Sequence, residues 1–165
     1  MPRINFQSFS GQVTSIDDYP AYGTEDSGCQ KFITVENDDG MVAHFIAGPD
    51  TYFVDNTLVS IGAFITGYYD ADRPMILIYP PQYPALVIVK HSPYKNVKVA
   101  YFNEQLISSD GLLQLHLTPD IPLRLTNGQA FTQNPANRNL IVSYGRTTKS
   151  IPSMTTPYDI IVYCR

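Results

Sequence analysis

Along almost the whole chain, apolar and polar residues alternate in short runs separated by turn-forming residues. That is the pattern of strands with one buried face. Residues 11–16 form a first run with Val13 and Ile16, ended by Asp17-Asp18-Tyr19-Pro20. Residues 30–36 alternate around Phe32, Ile33 and Val35, and residues 41–47 carry His44 and Phe45. Between them lies Asn37-Asp38-Asp39-Gly40. Asp-Gly between two apolar runs predicts a hairpin, because both residue types accept the backbone of a tight turn. Residues 51–56 predict one helical turn capped by Asp50. Residues 58–69 predict a long strand bent at Gly62 and Gly67. After Arg73-Pro74, residues 75–79 extend the chain again. Pro80-Pro81-Gln82-Tyr83-Pro84 is a stiff loop, and residues 85–90 are a further apolar strand.

The order strand, hairpin pair, short connection, strand, strand resembles the OB-fold, a five-stranded Greek-key barrel. The resemblance covers residues 9–90 and rests on spacing. A generic β-sandwich with the same number of strands has the same pattern. Strands follow in the second half at 97–102, 112–117, 121–125, 140–144 and 159–164. Asn103-Glu104 and Asn127-Gly128 are the turns among them, and residues 145–158 form a long polar loop punctuated by prolines. The polar stretch 91–96 is the candidate boundary. The expectation is an all-β, antiparallel chain: an OB-like barrel over 1–90, packed with a small β-sandwich-like unit over 91–165.

Composition agrees with strands. The chain has 165 residues, 12 Tyr, 13 Pro and no Trp, and only 16% of its residues are charged. Scattered prolines interrupt any long helix. No run of about 18 apolar residues predicts a membrane helix. The first eight residues have no apolar core of a secretory signal, so cytoplasmic synthesis is expected. The segments around Asn127-Gly128, Asn139-Leu140-Ile141-Val142-Ser143-Tyr144, Ile151-Pro152, Thr156-Pro157 and Ile160-Ile161-Val162-Tyr163-Cys164 resemble uncharacterised small all-β proteins of anaerobic spore-forming bacteria. That resemblance implies a genomic origin, with a place in an extracellular or spore-surface assembly as one setting. It implies no catalytic residue.

Signs of catalysis are sparse. His44, His91 and His116 stand apart from one another and from cysteine at metal-ligand spacing. The acidic run 36–40 lacks the spacing of a calcium loop, and Asp70-Ala71-Asp72 has the composition of a solvated turn. There is no Gly-x-Ser-x-Gly elbow and no phosphate-cradling glycine loop. Cys29 and Cys164 are too few for a disulfide scaffold. They are read as small buried apolar residues, or as one bridge between the two parts of the chain. No cofactor, metal or enzymatic activity is expected.

Charge changes the functional picture most. The net charge is −4, but residues 1–89 hold three basic and eleven acidic residues (−8), and residues 90–165 hold eight and four (+4). An acidic barrel is a poor reader of single-stranded nucleic acid, whose non-specific affinity comes mainly from phosphate neutralisation. Opposite signs on two parts of one chain suit a head-to-tail contact between copies. The candidate interface is therefore Asp17, Asp18, Asp38, Asp39, Asp70 and Asp72 on one side, and Lys95, Lys98, Arg138, Arg146 and Lys149 on the other. Tyrosines in turn contexts, Tyr22 and Tyr94 among them, add interface area. The leading expectation is a structural or protein-interaction protein that self-associates. The alternative is a module binding a small molecule, carbohydrate or single-stranded nucleic acid on the barrel face.

Overall fold

The computed structural model describes residues 3–19, 25 and 27–165. The turn expected at Pro20, and the positions of Tyr22 and Asp26, lie outside the described residues. The chain divides into two units: Phe6–His91, and Ser92–Arg165 together with residues 3–5. The fold is all-β, 48% strand, and no α-helix forms among the described residues. Among the described residues, no helix is long and apolar enough to cross a membrane.

In the Phe6–His91 unit the long strand β1 (Phe6–Tyr19) organises the sheet. Its second half pairs antiparallel with β2 (Gln30–Glu36), and the register shifts at a bulge between Val13 and Ser15. β2 turns through 37–40 into β3 (Val42–Ala47). This is the expected hairpin: the Asn37 side-chain carbonyl accepts from the Asp39 and Met41 amides, and Gly40 takes a positive φ of 78°. Alternation fixes the register. Ile33, Val35, Ala43 and Phe45 point into the core, while Phe32, Thr34 and His44 are only partly buried. A one-residue slip would turn that set outward, at about 1.5–3 kcal/mol for each large apolar side chain.

β4 (Tyr52–Phe53) and a single 3-10 turn, Val54–Asn56, follow. Asp50 does not cap that turn, which lacks any side-chain cap. β5 (Phe64–Asp70) pairs with the first half of β1. It is shorter than the strand expected over 58–69, because Gly62 takes a φ of 92° in a turn. Gly67 does not bend it; it makes room for the fully buried Phe45 ring. β6 (Gln82–Pro84) lies parallel to β3, and β7 (Val87–Lys90) pairs with β5 and β4. The strand order is β4-β7-β5-β1-β2-β3-β6, and the sheet does not close into a barrel. Only Ala85 and Leu86 separate β6 from β7. The Ala85 amide donates to Ile46 O (2.9 Å) and the Leu86 amide to Tyr68 O (2.8 Å). Val13, Ile33, Val35, Phe45, Ile65 and Ile88 fill the core.

In the other unit, β8 (Asn96–Phe102), β11 (Arg138–Tyr144) and β13 (Asp159–Val162) form an antiparallel set extended by β10 (Leu123–Leu125), in the order β10-β13-β11-β8. β9 (Leu113–Leu115) and β12 (Ser153–Thr155) form a separate parallel pair. Phe102, Leu113, Leu115, Leu140, Val142, Ile160 and Val162 make the core. Both expected asparagine turns are present: Asn103 Oδ1 accepts from the Gln105 and Ile107 amides, and Asn127 Oδ1 from the Gln129 amide. Ile4 is buried, and its amide donates to Asn139 Oδ1 (3.0 Å).

The sheets are mixed rather than antiparallel throughout. β3–β6, β4–β7, β9–β12 and β10–β13 are parallel pairs of two or three residue partners each. Strands this short arrive by loops rather than hairpins, so alternation in sequence gives no sign of their direction.

Candidate interaction surfaces

Residues 75–79, Met-Ile-Leu-Ile-Tyr, do not join a sheet. Pro74 and Pro80 bracket them and offer no amide to a ladder. All five are exposed: Met75 37%, Ile76 77%, Leu77 100%, Ile78 45% and Tyr79 69%. The segment has one internal bond and one tie to the sheet. The Ile78 amide donates to Ile76 O (3.1 Å), closing a three-residue turn with Leu77 at its apex. The Val42 amide donates to the Tyr79 hydroxyl oxygen (3.2 Å), tying the end of the ridge to β3. The sequence signal was an unbroken five-residue apolar run between prolines, which reads equally well as a buried strand.

A second feature lies on the outward side of β1, β2 and β3. The Tyr19 and Phe32 rings stack at 5.7 Å, and the Phe32 and His44 rings at 4.4 Å. Thr34, directly across from His44 in the register, places its hydroxyl 3.0 Å from Nδ1. Burial lowers the His44 pKa, so the ring favours its neutral form. The Tyr69 and Tyr83 rings also stack, at 3.8 Å and 7°. Burial, followed by the Tyr83 hydroxyl, pushes the Tyr69 phenol up to about 12.

The acidic residues of the candidate interface fall at three separate places, and the first pair is not in a turn. β1 runs on through Asp17 and Asp18, which were expected to end it, because both pair with β2. Asp17 and Asp18 sit near the end of β1, and Asp18 pairs with Lys31. Asp38 and Asp39 form the tip of the β2–β3 turn. Asp70 is opposite Phe6 at the other end of β1, and the Asp72 amide donates to the Asp70 carboxylate. Only Asp70 and Asp72 lie beside the apolar ridge in sequence.

The basic residues of the other unit are also dispersed. Lys98 pairs with Asp110, and Arg138 lies 4.7 Å over the Phe131 ring while its Nε donates to Asn134 O (3.0 Å). Lys95 belongs to a small bridge with Ser92. Arg146 and Lys149 are exposed and make no ion pair with a described residue. They flank β12, a strand within the segment expected to be loop from 145 to 158. The Thr155 hydroxyl donates to Arg146 O (2.7 Å), and the Thr148 amide to Met154 O (2.9 Å). Leu113, Leu115 and Thr155 are buried, while Leu112, Met154 and Ile151 are exposed around the β9–β12 pair.

Burial alone would raise the Asp110 pKa. Hydrogen bonds from Lys98, the Ser108 hydroxyl (2.6 Å) and the Leu112 amide (3.0 Å) outweigh it and hold the carboxyl below its usual value. Cys29 and Cys164 are both free and exposed, which corrects the expectation of buried apolar cysteines or a bridge. Each falls near an element boundary, Cys29 just before β2 and Cys164 just after β13, where alternation no longer reports burial. Among the described residues, no group of three or more His, Cys, Asp or Glu gathers as a metal site. Comparison with protein-family models, with curated proteins and with solved structures finds no match for the chain.

Proposed function

We propose that this is a non-enzymatic interaction protein that assembles with copies of itself, head to tail, through exposed apolar surface oriented by charge. One observation carries the reading: five consecutive large apolar residues, 75–79, are exposed, turned at Leu77 and tied to β3 through the Tyr79 hydroxyl. Taking roughly 200 Å² for a large apolar residue, their exposures amount to roughly 650 Å² of surface. With the backbone's share included, that stands at the upper end of the roughly 300–600 Å² of the largest patch on a typical monomer. Displaying it costs solubility, so a partner surface is the economical explanation. Cytoplasmic synthesis followed by incorporation into an extracellular or spore-surface layer is the setting this reading implies.

The test is size-exclusion chromatography with light scattering over a concentration series, in low and high salt. Mass should rise with concentration and fall with salt, as the Debye length drops from about 30 Å at 0.01 M to about 3 Å at 1 M. A monomer at high concentration and low salt refutes the proposal.

A second reading has its own support. We assign the Phe6–His91 unit an OB-like strand order: a β1–β2–β3 meander, β5 on the far side of β1, and the β6–β7 segment reaching both β3 and β5. In OB-folds the β2–β3 face takes ligands, and here that face carries the Tyr19–Phe32–His44 rings. The −8 charge around it favours a neutral ring-bearing ligand such as a carbohydrate over a polyphosphate. Carbohydrate-induced shifts in the NMR signals of His44 would favour this reading, and unchanged signals across a glycan panel would remove it.

A further inference from the structure

We infer that the occupant of the 75–79 ridge is a second copy of this chain, which receives it on the exposed face of its β9–β12 pair. The inference rests on the self-association proposed above and names the two surfaces that meet.

The ridge is built as an anchor. Leu77 is fully exposed at the apex of its turn, and the Val42–Tyr79 bond fixes the ridge against β3, so little ordering remains to be done on contact. Its area, roughly 650 Å² as worked above, approaches the roughly 800 Å² per partner of a standard interface. The ridge can therefore be the centre of a stable contact.

The choice of partner follows from charge. A symmetric ridge-to-ridge dimer would bring two −8 units together. A head-to-tail contact instead sets the −8 unit against the +4 unit of the next copy. On that unit, exposed apolar side chains and positively charged residues lie around the β9–β12 pair, with the 146–148 backbone bonded to β12. Leu112, Met154 and Ile151 supply the apolar surface, with Ile151 89% exposed. Arg146 and Lys149 flank it without an ion-pair partner among the described residues. The ridge brings Asp70 and Asp72 close by in sequence, with Arg73 as one charge of the other sign. Exposed pairs of this kind orient the contact, while the apolar area holds it. Met154 adds an unbranched side chain that adapts to the shape of an incoming leucine.

The experiment uses full-length protein carrying Leu77→Asp or Ile151→Asp, read by sedimentation velocity and light scattering. Both side chains lie in solvent, so the urea midpoint of each variant should match the parent. Each variant alone should lose self-association by at least about 30-fold. The decisive sample is the equimolar mixture. The Leu77→Asp copy keeps an intact receiving face and the Ile151→Asp copy keeps an intact ridge, so the mixture should form a 1:1 dimer and stop there. Three results overturn the inference while leaving self-association standing: Ile151→Asp assembles like the parent, the mixture stays monomeric although the parent assembles, or the parent binds neutral phosphatidylcholine vesicles in a Leu77-dependent way. A parent that is monomeric under all conditions removes both the inference and the proposal beneath it.

Discussion

Substituting Gly67 by alanine tests the packing of the Phe6–His91 unit at its tightest point. A Cβ at position 67 would lie 2.4 Å from Cζ of Phe45 and 2.6 Å from Cε1 and Cε2. To restore ordinary contact, the ring tip must retreat by roughly 1 Å. Phe45 is fully buried among Val13, Ile33, Ile65 and Ile88, so the retreat displaces core neighbours rather than water. Overpacking of this kind costs about 1–3 kcal/mol. Gly67 has no positive φ, so alanine fits its backbone and recovers about 0.4–1 kcal/mol by restricting the unfolded chain. From the middle of the two ranges, the net loss is about 1–2 kcal/mol. With a urea m-value of about 2 kcal/mol/M, the midpoint falls by roughly 0.5–1 M. Hydrogen exchange at Ile33 and Ile65 reads this unit by itself. Shortening the ring as Phe45→Leu should relieve the clash, so the double variant should be at least about 1 kcal/mol more stable than the two single costs add up to. A Gly67→Ala protein within about 0.5 kcal/mol of the parent, or an equal cost in the Phe45→Leu background, refutes the close-approach argument.

Two further outcomes follow from individual contacts. The native Asp110 carboxyl is held below its usual value, so its contribution is present above the unfolded carboxyl pKa of about 3.9 and is lost as pH falls through the lower folded value. Asp110→Asn should therefore cost about 1–2 kcal/mol at pH 7, and the gap should close in acid denaturation series; a gap that stays constant down to pH 2 refutes it. Cys29 and Cys164 are exposed and free, so native protein should react with two equivalents of a thiol reagent without denaturant. Fewer than two equivalents would show that one thiol is covered or bonded.

The legible parts of this fold were those where local chemistry and long-range geometry agree. Asn37 through Gly40 encodes its own turn, and the Ile33, Val35 and Phe45 alternation follows from having one wet face. Asn103 and Asn127 are legible for the same reason. The run at 75–79 was not, because hydrophobicity reports the wish to be buried and not where. Pro74 and Pro80 add no donors at either end, and the run stays outside the sheet and exposed. β12 was hidden for the opposite reason: Ser-Met-Thr has no strand pattern, and it becomes a strand only by lying beside Leu113–Leu115. The candidate charges were legible as an overall sign. Their dispersion was not, since Lys98 and Arg138 turn to Asp110 and Phe131 within their own unit.

The bond from the Ile4 amide to Asn139 joins residues 135 apart in the chain. On a ribosome adding about 5–20 residues per second, Ile4 precedes its acceptor by between about 7 and about 27 s. The described strands of the intervening Phe6–His91 unit find their ladder partners within its own span, so its synthesis ends well before Asn139 exists. Residues 3–5 belong by their contacts to the unit that is made last. The earliest-made segment is thus seated near the end of synthesis, and a chain stalled before Asn139 leaves Ile4 without its buried acceptor.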